Sequence, residues 1–320
     1  MSATSRSYAD EVFPSHAGPG DRIAPLTPLR LLTAWTFEPV PVAAALVAAA
    51  LYLYGVHLLR RRGDSWSRGR TFSFCGVGLG SAMVATQSAL GTYDTVLLSV
   101  HMAQHMILSM LTPLALAIGA PATLALRTLR KRPRGWLLAV LHSRVAKVLC
   151  FPIVGFVFFV ASPWALYFSG WYEATLRNGT LHDLMHLHFV LVGSLFFWPL
   201  LGLDPVPGRI IYPFRLLLTF LTLPFHAFLG ITIMSSQRLI AEDWYTSFGR
   251  SWPPSPLRDQ YIAGGLLWGS GDLVGVVFFA VLFVQWFQQS QREARREDRR
   301  LDRLEEAERR AAAEHLRDGP

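Results

Sequence analysis

The chain holds about seven stretches of roughly 20 residues that are almost free of Asp, Glu, Lys and Arg, each long enough for a helix to cross a hydrocarbon core about 30 Å thick. These stretches are continuously apolar rather than alternating. Inside lipid every backbone N–H and C=O must find a partner within the protein, and a continuous apolar run satisfies that as a helix, not as a barrel strand. We place the spans at 39–59, 71–90, 95–120, 145–168, 181–203, 210–235 and 262–287. Charged residues make up 16% of the 320 residues, against about 25% in soluble domains, which agrees with burial in lipid. The expected fold is therefore all-α: a polytopic membrane protein built as a bundle of about seven transmembrane helices.

Loop charge sets the expected orientation. The first connection carries Arg60, Arg61, Arg62, Arg68 and Arg70. The third carries Arg127, Arg130, Lys131, Arg132, Arg134 and Arg144, and the fifth Arg209 and Arg215. The second connection has no positive charge and the fourth only Arg177. Lys and Arg accumulate on the cytoplasmic side, so the N-terminus is expected outside and the C-terminus inside. The same loops account for the net charge of +8, and no nucleic-acid motif accompanies it. Three regions follow: a polar extracytoplasmic tail over 1–36, the transmembrane domain over 37–290, and a charged cytoplasmic helix or tail over 291–320. The first 36 residues lack the basic start and short apolar core of a cleavable signal. The C-terminal segment pairs Glu305 with Arg309 and Glu306 with Arg310 at helical spacing. Aromatics in the long sixth connection, Trp244, Tyr245 and Trp252, fit an interfacial belt. Cys75 and Cys150 lack a CxxC partner and read as packing residues. Gly76/Gly80, Gly265/Gly269 and Gly271/Gly275 read as close helix contacts.

Ionisable residues within a membrane are costly and mark function or interior pairing. The third span has His101 and His105, the fifth His182, Asp183, His186 and His188, the sixth His226, and the seventh Asp272. His101/His105 and His182/His186 are spaced i,i+4. Four residues turn a helix by about 400° and advance it by about 6 Å, so each pair stacks on one face. Two such pairs on facing helices are able to enclose one ion, and imidazole suits Zn, Cu, Fe and Ni. Met185 shares the His182/His186 face and offers a thioether for Cu(I). Asp272 is a candidate for orienting an imidazole. Given the loop charges, His101, His105, His182, His186 and His226 fall toward the same outer leaflet although they come from helices of opposite direction, while His188 points to the other side of its helix.

The residues also resemble a known family. His101-Met-Ala-Gln-His105 leading to Pro113 and Gly119-Ala-Pro121 is one part of the likeness, and His182-Asp-Leu-Met-His186 leading to Trp198-Pro199 and Asp204-Pro205 is another. Phe225-His226 through Gly230, Gln260-Tyr261, Gly264-Gly265, Trp268 and Gly271-Asp272 complete it. In this order, over about 39–289, they resemble the caa3-type CtaG family of cytochrome c oxidase assembly factors. The resemblance implies a multi-pass protein of a bacterial plasma membrane that helps mature a haem–copper oxidase, with copper as cargo and oxidase subunits and the lipid bilayer as partners. On this reading the chain is not an enzyme, and no nucleophile-and-base arrangement argues otherwise. His101, His105, His182 and His186 would hold copper, with His226, Met185 and Asp272 as further members of the site. Two other readings stay open from the residues: a b-type haem protein with axial histidines from two helices, and a copper or proton translocator.

Overall fold

The computed structural model describes residues 24–208, 210–247, 250 and 252–317, with side chains through 310. Most of the expected N-terminal tail and Arg209 lie outside these residues. Among the described residues the structure is helical, with no strand.

The first span is α1, Pro39–Arg61, with proline at its start and Arg60 and Arg61 in its last turn. Both ends suit the helix: proline's missing N–H would have had no partner there, and the terminal cations face the exposed carbonyls. The second predicted span is helical from Arg68 to Gln87, but it is wound as a π-helix over Phe72–Leu79 before ending in α2, Gly80–Gln87. Ser88 then caps a short helix, Ala89–Tyr93, by accepting from Leu90 N–H. Helix α3 begins as Leu98–Met106, passes through a π segment at Ile107–Leu111, and continues as Thr112–Ile118.

The fourth predicted span divides. Residues Arg144–Leu149 form a separate helix and α4 is Pro152–Tyr167. Pro152 is the reason: the residue before a proline is pushed out of helical geometry, and Phe151 has ψ 122. Helix α4 bends by 69° into α5, Trp171–Arg177. Helix α6, Gly179–Leu201, is capped by Asn178, whose side chain accepts from Leu181 N–H, and stops at Gly202 in the left-handed region. Helix α7 is Tyr212–Ser235, and α8 runs unbroken from Pro256 to Arg317.

Among the described residues five helices are long and apolar enough to cross a membrane, and a sixth is added if α4 and α5 form one bent span. Helix α8 does more than span. It continues the seventh predicted stretch into the charged C-terminal segment, where Glu305–Arg309 and Glu306–Arg310 approach to 3.8 and 3.9 Å, exposed, as their spacing predicts.

Helix α3 is central, packing against α6, α8 and the π segment before α2. Its Met102 and Gln104 are fully buried. Of the glycines the sequence spacing highlights, Gly271 and Gly275 do meet α7: a Cβ on them would lie 3.1 Å from His226 Cδ2 and 2.6 Å from Leu223 Cδ2. Gly265 and Gly269 face open space, while a Cβ on Gly264, outside the highlighted pairs, would lie 2.5 Å from the Gly230 carbonyl oxygen. The α7–α8 seam is therefore closed at Gly230 and Gly264 and continued at Gly271 and Gly275. In the sixth connection, Trp244 and Tyr245 are buried rather than interfacial. Trp244 Nε1 donates to the Thr95 carbonyl at 2.8 Å, and the Tyr245 hydroxyl meets that of Tyr172 at 2.7 Å.

Candidate metal centre

Two clamps position the histidines. At the start of α3, Asp259 of α8 accepts from Leu98 N–H at 2.7 Å and from the Ser99 hydroxyl. A carboxylate at a helix N-terminus satisfies exposed donors and complements the dipole, and it fixes the turn from which His101 and His105 project. At the start of α6, the Asn178 cap does the same for His182 and His186.

The two pairs meet. The His101 and His182 ring centroids are 6.4 Å apart, and those of His182 and His186 4.5 Å. The closest donor set, however, includes a residue that spacing alone did not single out. Asp94, in the connection before α3, is 4% exposed. Its Oδ2 lies 2.9 Å from His182 Nε2 and 3.6 Å from His186 Nε2. Gln104 Nε2 donates to the same oxygen at 3.0 Å, while Gln104 Oε1 accepts from His186 Nε2 at 2.9 Å. Asp94, His182 and His186 each offer a ligand atom, all within 4.8 Å of one another. Burial pushes the Asp94 carboxyl up, but the neighbouring His182, His186 and Gln104 outweigh it and hold the group below its usual value.

The first pair is tied differently. His101 Nε2 is 3.0 Å from the Tyr167 hydroxyl, and that hydroxyl is 2.8 Å from His105 Nδ1. Tyr167 thus bridges the pair. His101 Nδ1 and His182 Nδ1 are buried without a hydrogen-bond partner. Such orphaned atoms are uncommon in folded proteins and call for a ligand, a water or a functional reason. A cavity of about 180 Å³ opens beside the triad, with Glu38, Asp94, Asp183, His182 and His186 in its wall. Its acidic lining suits an arriving cation.

The remaining predicted residues lie elsewhere. The Met185 sulfur accepts from the Thr175 hydroxyl at 3.5 Å in the core. His226 is buried against Phe159, with centroids 5.3 Å apart, and its Nδ1 is 3.1 Å from the Thr222 carbonyl. Asp272 accepts from Trp268 Nε1 at 2.7 Å, one turn back on its own helix, and its second oxygen, Oδ1, is buried with no hydrogen-bond partner; it makes no hydrogen bond to an imidazole. Asp94, Gln104 and Tyr167 are what a search for histidine pairs passes over. Gln104 was visible as a polar neighbour within the third span, and Asp94 as an acid one residue outside it.

A family model described as cytochrome c oxidase caa3 assembly factor matches residues 50–289. The chain is 40% identical over 269 residues to the uncharacterized proteins Mb0105 of Mycobacterium bovis and MT0111 of Mycobacterium tuberculosis, covering 82% of this chain and 40% of each of theirs. It is 36% identical over 265 residues to the uncharacterized protein ML1998 of Mycobacterium leprae, covering 81% of this chain and 40% of that one. The chain thus spans well under half the length of the curated relatives it matches. No solved structure matches it.

Proposed function

The chain belongs to the cytochrome c oxidase caa3 assembly factor family, and on that premise we propose that it receives copper at an extracytoplasmic histidine cluster for delivery to a haem–copper oxidase. The observation that carries this reading is the Asp94–His182–His186 triad, whose ligand atoms share a space small enough for one ion. Two imidazoles and a carboxylate make a borderline-hard donor set that suits Cu(II). Three protein ligands leave a position open, as an exchangeable cargo requires. Gln104 orients both the carboxylate and His186, the outer-shell role that ligating groups depend on. Met185, buried in the core, is left out of the proposed ligands because the closest donor set consists of Asp94, His182 and His186.

The setting proposed is a bacterial plasma membrane, with oxidase subunits as partners and a binding rather than catalytic role. Counting the helical run from Arg68 to Gln87 and the bent α4–α5 pair as spans gives seven crossings. The N-terminus is then outside, and the cavity beside the triad opens to that side.

The haem alternative is less well supported. A cavity of about 180 Å³ falls below the roughly 300 Å³ lower bound of small-molecule pockets, and it suits an ion better than a macrocycle. The test is Cu(II) binding to the purified chain in detergent, read by equilibrium dialysis. The wild type is expected to retain one equivalent. Asp94→Asn, His182→Ala and His186→Ala combined should lose it. Equal retention by this triple variant would refute the site, and a Soret band in the purified chain would favour haem.

A further inference from the structure

We infer that a second, inner cation station lies between His105 and His226, sized for one desolvated monovalent cation of the cuprous type. Its choice of metal rests on the copper reading of the outer cluster; its geometry does not.

His105 of α3 and His226 of α7 are buried, and both line a void of about 10 Å³ that Ser109 and Ser162 also line. A void of that measure is about one probe sphere, room for one water or one bare ion and not for a hydrated one. Both imidazoles are held by Nδ1. His226 Nδ1 lies 3.1 Å from the Thr222 carbonyl oxygen. A carbonyl only accepts, so the proton is assigned to Nδ1 and the lone pair to Nε2, the arrangement found in metal-ligating histidines. His105 Nδ1 faces the Tyr167 hydroxyl, which has a single proton to give and has His101 Nε2 on its other side. When Tyr167 donates to His101 it accepts from His105 Nδ1–H, and His105 then also carries its lone pair on Nε2. Neither Nε2 makes a hydrogen bond among the described residues.

The charge of the void selects the cation. No carboxylate lines the void itself, but Asp272 is near: one oxygen accepts from Trp268, the other is buried without a hydrogen-bond partner, and its charge acts on His226. One carboxylate balances a single positive charge, and a buried ion carrying more charge than its surroundings balance is costly, so a monovalent ion is favoured over a divalent one. Bis-imidazole coordination suits copper. The station is separate from the outer triad: Phe189 stacks on His105 with centroids 4.1 Å apart, and Tyr167 stands between His105 and His101. Ser109 belongs to the π segment of α3, a winding that recurs at functional sites.

The test is anaerobic Cu(I) titration of the full chain in detergent against a chromogenic cuprous chelator. The background is the outer-site variant Asp94→Asn/His182→Ala/His186→Ala. It is expected to retain one equivalent of Cu(I), with an X-ray absorption spectrum of two nitrogen donors. Adding His226→Gln or His105→Gln should abolish retention, with thermal melting by circular dichroism confirming that each variant is folded. No Cu(I) on the folded background variant overturns the inference. So does an equivalent that survives both glutamine substitutions, or a spectrum with sulfur donors, a readout that needs no further variant. The outer site is scored separately by Cu(II): loss of Cu(II) binding in the wild type with Cu(I) retained in the background variant would refute the proposed function alone, and the converse would refute this inference alone.

Discussion

At the residue scale, the cluster is organised by an acid rather than by the histidines alone. Asp94 Oδ2 meets His182, His186 and Gln104 at one atom. The i,i+4 spacing of both histidine pairs was readable because helical geometry makes spacing equivalent to position. Asp94 was not readable in that way, because it sits in a connection where no periodicity fixes direction. Gln104 lies between the two histidines of its own helix, yet its contacts are across to Asp94 and His186, which only packing reveals. Gln104→Ala removes both contacts while leaving every proposed ligand in place. Its copper affinity is expected to fall by about 10- to 100-fold, the usual cost of losing an outer-shell partner, measured by competition with a chelator. Unchanged affinity would show that Gln104 does not orient the site.

At the element scale, the site depends on how α3 is started and gripped. Asp259 caps its first turn from α8, and the α3–α6 contact requires Gly193, where an added Cβ would overlap the Ser109 carbonyl oxygen. Gly193→Ala therefore forces α6 away from the π segment. It is expected to destabilise the chain by about 1–3 kcal/mol, the common cost of overpacking, read as a lowered melting temperature. Asp259→Ala leaves two buried or half-buried donors without an acceptor and removes an N-terminal cap, for an expected loss of about 1–2 kcal/mol. Five of the seven expected spans, the first, third, fifth, sixth and seventh, were legible as apolar runs and are single long helices among the described residues; the fourth is a bent pair and the second is not long and apolar enough to count. Internal breaks were only partly legible. Pro152 explains why Arg144–Leu149 is separate, but the π windings at Phe72–Leu79 and Ile107–Leu111 leave no trace in hydropathy. The glycine seam was legible in part: Gly271 and Gly275 do face α7, but small-residue spacing recurs on several faces of α8, and only the facing helix selects Gly264 over Gly265 and Gly269.

At the scale of the whole molecule, the bundle packs α3 against α6 beside the acidic cavity, and residues of α3, α4, α6 and α7 line the smaller void. His101, His105, His182 and His186, from α3 and α6, gather in one region, whereas His226, from α7, lies apart from them against Phe159 and Thr222. The Lys and Arg of the connections set the expected side of the membrane. Single cysteines placed at Thr92 and at Gly63, in a chain with Cys75 and Cys150 replaced by Ala, test it in intact cells. The Thr92 position is expected to react with an impermeant maleimide and the Gly63 position only after lysis, and the reverse pattern would invert the topology. The most direct test of the central claim, copper held by Asp94, His182 and His186, is electron paramagnetic resonance of the Cu(II)-loaded chain. The wild type is expected to show nitrogen superhyperfine structure from at least two imidazoles. His182→Ala and His186→Ala should each lose one nitrogen coupling, and a spectrum unchanged in both variants would contradict the account.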